Sequence, residues 1–274
     1  MIYLGLQPYN LLFCKKKMDR RLAEFQRLLD IMDELRQKCP WDKKQTNESL
    51  RTLTIEETYE LADAVLEGKT DDIKKELGDI MLHLVFYAKI AEENKQFDIA
   101  DVLLGINEKL IYRHPHIFGD VKVSSAREVE DNWEKIKLTE GKKKKVLGGI
   151  PKSLPATIKA YRMQDKARGV GFDWENKEQV WDKVMEEYNE LREAINENNQ
   201  QEIEKEFGDM FFALINAARL YGINPENAIE LTNRKFLNRF NYLEENTIAQ
   251  GKLLKSMSLE EMDKFWNEAK DQGL

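Results

Sequence analysis

The sequence reads as an all-α protein built from a tandem repeat of two helical units, each organised around an antiparallel helix pair. Three observations carry this. The acids Glu56, Glu57, Glu60, Glu76 and Asp79 recur as Glu186, Glu187, Glu190, Glu206 and Asp209, all at a constant offset of 130 positions, which marks an internal duplication. The chain has only 6 Pro and 14 Gly, long segments of helical period and no clear alternating runs. Finally, Glu57 and Asp79, like Glu60 and Glu76, are equidistant from Gly68, and their counterparts are equidistant from Asn198. Residues equidistant from a tight turn lie level in an antiparallel helix pair, so each set of acids should converge on one point.

Taken in order, residues 1–17 are apolar and then basic, the reverse of a secretory signal. With Met18 opening a helical pattern, they are expected to be a disordered or spurious extension. A first unit is expected over 18–125. Its opening helix carries Leu22, Phe25, Leu28, Leu29, Met32 and Leu35 at helical spacing and is broken at Cys39-Pro40-Trp41-Asp42. The acidic helix begins after Gln45-Thr46-Asn47-Glu48-Ser49-Leu50, with Ile55, Tyr59, Ala62 and Leu66 as its apolar stripe, and turns near Gly68 to Asp72. It returns as a helix that is apolar nearly all round after Asp79, and a helix of that kind is buried. Another helix over about 97–112 stops at His114-Pro115-His116, read as a terminating turn rather than a metal site because the second repeat has no histidine there. The connecting segment spans 126–153. Its lysines from 142 to 145 read most simply as a solvated hinge, and the phosphate-loop spacing is absent around Gly148-Gly149. The second unit, 154–274, repeats the pattern, ending in a helix with Trp266.

Composition bounds the function classes. With 42% hydrophobic and 34% charged residues, the chain can bury a core and stay soluble. A net charge of −7 argues against nonspecific binding to a nucleic-acid polymer. Cys14 and Cys39 form no metal or redox pattern, and no apolar run approaches the roughly twenty residues of a membrane span, so a cytoplasmic protein without a membrane partner is expected.

A charged helix run is usually a solvated face. Here, however, each set of acids opens onto an apolar helix, where ionised carboxylates need compensation, and lysine and arginine are sparse at those levels. A bound cation supplies that compensation. Oxygen-only ligands select a hard ion, Mg²⁺ or Mn²⁺, and Mg²⁺ characteristically bridges a few carboxylates to substrate phosphates. Di-iron helix pairs use Glu-x-x-His, whereas the fourth position here is Asp in both copies, and His83 faces Ala213 in the comparison of repeats. Each unit then carries Asn-x-Lys-x-x-x-Arg, with Lys109 and Arg113 or Lys235 and Arg239 one turn apart, followed by a Trp-x-x-x-Lys. Cations, an acidic metal cage and an aromatic are the parts needed to hold a nucleoside polyphosphate. No Ser/His/Asp or Cys/His nucleophile pattern is present, so metal-assisted hydrolysis of a phosphoanhydride is the class the residues support.

The combination of EExxE and ExxD on paired helices closely resembles the MazG family, the all-α nucleoside triphosphate pyrophosphohydrolases, in its two-domain form. So do Cys39-Pro40-Trp41-Asp42, Gln45-Thr46, Arg113 through Asp120, and Lys166-Ala167 with Gly169 through Trp174. The match covers about residues 18 to 270. The resemblance implies cleavage between the α and β phosphates with Mg²⁺, broad base preference, a homodimer, and a role in clearing aberrant nucleotides or tempering nutritional-stress signalling. It implies that the second unit is the main catalyst, with Glu186, Glu187, Glu190, Glu206 and Asp209 as catalytic metal ligands and Lys183, Lys235, Arg239 and Trp266 as substrate contacts. Leu53 stands where the second copy has Lys183, which agrees. The first copy keeps its acids (Glu56, Glu57, Glu60, Glu76 and Asp79) as a possible second site. The competing expectations are a nucleotide-sensing or partner-binding scaffold without turnover, and a pyrophosphatase narrowed to one nucleotide, such as a deoxyuridine triphosphatase.

Overall fold

A computed structural model describes residues 19–125, 128, 129, 132, 133, 136, 145–248, 251 and 253–274. The extension over 1–17 and the lysines at 142–144 lie outside the described residues. The described residues are helical with no strand among them, and they divide into two compact units between Tyr112 and Arg113.

Unit 1 opens with α1 (Arg20–Lys38), whose first free backbone N–H groups are met by Asp19 at the N-cap, accepting from the Arg21 amide at 2.9 Å. Pro40 forbids its continuation. Across that break, Arg36 donates to the carbonyls of Asp42 and Gln45 and pairs with Glu93, tying the end of α1 to a distant part of the unit. Helix α2 (Asn47–Glu67) starts from a capping box between Thr46 and Ser49. Gly68, at φ +67°, takes the left-handed cap that a side chain disfavours, and α3 (Thr70–Glu93) returns antiparallel. Met32, Leu50, Val85, Phe86 and Ile90 form the core, with Leu53, Leu82 and Tyr87 packed against it. Helix α4 (Ile99–Arg113) follows and has no fully buried residue.

One expectation fails on α2. The stripe assigned to Ile55, Tyr59, Ala62 and Leu66 is not the core face, since Ile55 and Tyr59 are exposed. Leu50, Leu53 and Ala64 turn toward the interior instead, and Glu57 shares their side of the helix. Glu57 therefore borders the packed face, while Glu56 and Glu60 stay exposed.

Unit 2 begins with the short helix α5 (Pro115–Phe118), with Pro115 at its first turn where a missing N–H is harmless. Helix α6 (Ala156–Arg168) is closed by a tight turn in which Phe172 donates its amide to the Ala167 carbonyl at 3.0 Å, with Gly171 at φ +86°. The hairpin of α7 (Gln179–Asn196) and α8 (Gln200–Leu220) turns through Asn198 at φ 55°. Helices α9 (Pro225–Thr247) and α10 (Leu259–Asp271) pack on each other, and α6 lies against α8. Val180, Val184, Ala213 and Ala217 make the core of the hairpin.

The helix after Asp209 is less buried than its sequence implies. On α8 only Ala213 and Ala217 are fully buried, while Phe207, Phe211 and Phe212 are exposed. An apolar surface running around the whole helix exceeds what its neighbours within the unit cover. No described helix is long and apolar enough to cross a membrane.

Candidate active site: two acidic clusters and a cavity

The hairpin register dictated by the two turns brings the acids together in each unit. In unit 1, oxygens of Glu57, Glu76 and Asp79 lie within 4.8 Å of one another, and in unit 2 the same holds for Glu187, Glu190 and Glu206. Asp209 stands close enough to raise the proton affinity of Glu206, and it lines a cavity together with Glu187. Glu56 and Glu60 in the first copy and Glu186 in the second lie beside the converging three rather than among them.

Each cluster contains one deeply buried acid, Glu76 at 5% exposure and Glu187 at 6%, and each of these is met by a lysine. The lysines come from different places. In unit 1 it is Lys75, at 2.8 Å from Glu76 and near Glu60 and Asp79 at 4.0 and 3.9 Å. In unit 2 it is Lys183, at 2.7 Å from Glu187 and 2.9 Å from Glu186. Lys205, the counterpart of Lys75, turns away to Glu202 at 2.6 Å. The hydrogen bonds to Glu187 and Glu186 push the Lys183 ammonium well above the ordinary lysine range.

A lysine in each cluster does not neutralise it. Burial raises the proton affinity of Glu57, with Asp79, Glu60 and Glu76 adding to it and Lys75 opposing. Glu206 is raised by desolvation first and then by Glu190, Asp209 and Glu187. One oxygen of Glu76 and one of Glu206 are buried with no hydrogen-bond partner. Crowded, oxygen-only and under-satisfied carboxylates fit a hard divalent cation, which can accept several carboxylate oxygens at once.

The surroundings of the two clusters differ sharply. In unit 2 a cavity of about 710 Å³ opens beside the acids, with Lys183, Glu187 and Asp209 on one side and Gln164, Phe172 and Asn216 among its other walls. In unit 1 the positions matching Lys183, Asn216 and Ala217 are Leu53, Phe86 and Tyr87, and all three belong to the packed core. Thr54 and Tyr87 add a 2.8 Å hydrogen bond across that interior. His83, expected in the core or at its rim, is buried with an unpartnered Nδ1, and burial lowers its proton affinity against the opposing pull of Asp79.

The remaining substrate-contact candidates sit on the α9–α10 pair. Arg239 donates Nε to the Leu274 carbonyl at 2.7 Å and lies 5.7 Å over the Trp266 ring, which also packs on Phe236 at 5.1 Å. Lys235 is exposed on α9. None of the three is among the residues lining the unit 2 cavity. Sequence reasoning passed over Asn216 and the Asp173–Arg219 pair, which line that cavity, because their proximity depends on how α6 and its following turn lie against α8.

Comparison with known proteins agrees with the geometry. The family model described as the MazG nucleotide pyrophosphohydrolase domain matches twice, over residues 45–118 and 175–243, once across each acidic hairpin. The nucleoside triphosphate pyrophosphohydrolase/pyrophosphatase MazG of Thermotoga maritima is 44% identical over 250 residues, 90% of this chain and 95% of that protein. The nucleoside triphosphate pyrophosphohydrolase of Escherichia coli K12 is 40% identical over 92% of this chain and 99% of its own length. The YabN protein of Bacillus subtilis is 47% identical over 90% of this chain, which spans 52% of its length. With both hairpins matched and similarity running through most of the sequence, the chain belongs to the MazG nucleotide pyrophosphohydrolase family.

Proposed function

We propose that the chain hydrolyses nucleoside triphosphates between the α and β phosphates, releasing the monophosphate and pyrophosphate, and that unit 2 is its principal site. The observation that carries this reading is the convergence of Glu187, Glu190 and Glu206, with an unsatisfied Glu206 oxygen, beside a cavity large enough for a nucleotide. Glu187, Glu190 and Glu206, with Asp209 beside them, would hold the cation, Mg²⁺ in the cell and Mn²⁺ as a substitute. When bound, that cation supplies charge neutralisation at the phosphates. Lys183 exchanges its carboxylate partners for a phosphate oxygen as substrate enters. Glu186, paired to Lys183 at 2.9 Å and outside the converging three, is the carboxylate left to take a proton from the attacking water. Lys235, Arg239 and Trp266 are the further substrate contacts that the family resemblance implies, although none of them lines this cavity. In unit 1, Glu56, Glu57, Glu60, Glu76 and Asp79 form a second cation site whose packed surroundings suit a supporting role.

The same reading includes broad base acceptance, a cytoplasmic role in cleaning the nucleotide pool or in the stress response, and a homodimer. The homodimer is supported by the exposed Phe207 and Phe211 on α8, whose rings lie 6.2 Å apart in one apolar patch. Light scattering of the purified chain checks it, with a monomeric mass as the contrary result.

The deciding assay incubates the purified protein with the common nucleoside triphosphates and Mg²⁺ and resolves the products. Monophosphate and pyrophosphate are expected from several bases. Orthophosphate with diphosphate contradicts the bond assignment, turnover of deoxyuridine triphosphate alone selects the narrow pyrophosphatase, and binding without turnover selects the sensing scaffold.

A further inference from the structure

The unit 2 cavity contains a polar group that the hydrolytic reading leaves unexplained. Gln164, on α6, is 93% buried by its 7% exposure, yet it lines this cavity. Its amide nitrogen donates to the Phe212 carbonyl at 2.9 Å, which fixes the orientation of the carboxamide. Its Oε1 is then buried with no partner. A buried acceptor left unmade is destabilising, so an unpaired one just beneath a cavity wall marks where a ligand donor can be met by a small shift of the side chain.

Asn216 stands one helical turn beyond Phe212 on α8, and in an α-helix the Phe212 carbonyl points toward the level of residue 216. The Asn216 Oδ1 already accepts from Arg219 Nε at 3.0 Å and Nη2 at 2.9 Å, and Arg219 is itself held by Asp173. That leaves the Asn216 amide nitrogen as the group it can offer. One acceptor and one donor, each fixed by a second hydrogen bond, thus border the same cavity.

Two turns separate Asn216 from Asp209 on α8, about 10 Å along the axis. With the phosphates at the acids, a nucleoside laid along α8 brings its base to the level of Asn216 and Gln164. Phe172 and Trp174 stand on the cavity wall to stack against it. Accordingly, we propose that this cavity is a nucleobase pocket in which Gln164 Oε1 accepts a hydrogen bond from an N–H on the hydrogen-bonding edge of the base, with Asn216 donating beside it. Adenine, cytosine, guanine and uracil all present at least one N–H beside an acceptor on that edge. A single carbonyl reader therefore accepts all four and rejects a base that has no N–H to give.

The inference rests on unit 2 being the nucleotide site, and the test separates the two. The wild-type chain is assayed with Mg²⁺ and either adenosine triphosphate or purine riboside triphosphate, whose base lacks the amino group and carries no N–H. A single lost hydrogen bond that strands a buried acceptor lowers kcat/KM for the analogue by roughly 10- to 100-fold. Gln164→Met, checked for folding by thermal melting, brings adenosine triphosphate down to the level of the analogue and abolishes the difference. Equal kcat/KM for the two nucleotides on the wild-type chain overturns the base-reading role while leaving pyrophosphohydrolysis standing. If neither nucleotide is cleaved, the hydrolytic reading fails, and calorimetric binding of the same pair still decides the pocket: equal affinities refute it, and a tenfold preference for adenosine triphosphate upholds it.

Discussion

The two units carry the same five acids in the same register, yet one hairpin encloses a packed core where the other borders a cavity. Leu53 and Phe86 belong to the packed core of unit 1, whereas their counterparts Lys183 and Asn216 line the cavity of unit 2. Duplicating a set of ligands therefore need not duplicate a substrate site. A cation can be held by carboxylates alone, but a substrate also needs room, and here the room depends on side-chain size one and two turns away from the acids.

The comparison breaks most visibly at the acids themselves. Glu187→Ala is expected to lower the rate of triphosphate hydrolysis by at least about a hundredfold, while Glu57→Ala leaves it within roughly twofold. The reverse ranking in steady-state assays assigns the chemistry to unit 1. Next in size is the transfer of a unit 1 residue into unit 2. Asn216→Phe places the bulk of Phe86 in the cavity and should raise KM by on the order of tenfold or more, with circular dichroism confirming that α8 persists.

The opposite transfer should act on stability rather than activity. Phe86→Ala removes a side chain only 3% exposed from the unit 1 core and is expected to destabilise that unit by about 3–5 kcal/mol, read from denaturant unfolding. Catalysis measured well below the transition should be retained. An equally large loss of activity under native conditions shows that unit 1 contributes directly to turnover.

The smallest effect concerns pH. Burial lowers the proton affinity of His83, so near its ordinary value, about 6.5, the unfolded chain binds more protons there than the folded chain does. The stability of unit 1 is therefore fullest above that value and declines as pH falls through it. His83→Ala, the residue unit 2 carries, should flatten the fall in melting temperature between about pH 7 and pH 5. An unchanged slope assigns the acid sensitivity to other groups.

Much of this was legible in the sequence because it depends on local arithmetic. The 130-residue offset and the equidistance of the acids from Gly68 and Asn198 are properties of the chain alone, and both hairpins turn at those residues. The buried side of α2 was not legible, since Ile55 and Tyr59 make as plausible a stripe as Leu50, Leu53 and Ala64 until α3 is docked. The difference between Leu53 and Lys183 could be seen, but not that Leu53 is structural cement, nor that Lys75 would enter one acidic cluster while Lys205 turns from the other. The cavity depends on α6 lying against α8, a long-range contact that no motif encodes.

The left-handed turns at Gly68 and Asn198 have an evolutionary consequence. Surface connections generally tolerate insertion and deletion, but these two act as the phase setting of a gear. Adding or removing one residue rotates the returning helix by about 100° and slides it by about 1.5 Å against its mate, which parts Glu206 from Glu187 and Glu190. Drift in these turns should thus be confined in composition to residues that tolerate a left-handed backbone, as glycine in one copy and asparagine in the other illustrate, and frozen in length.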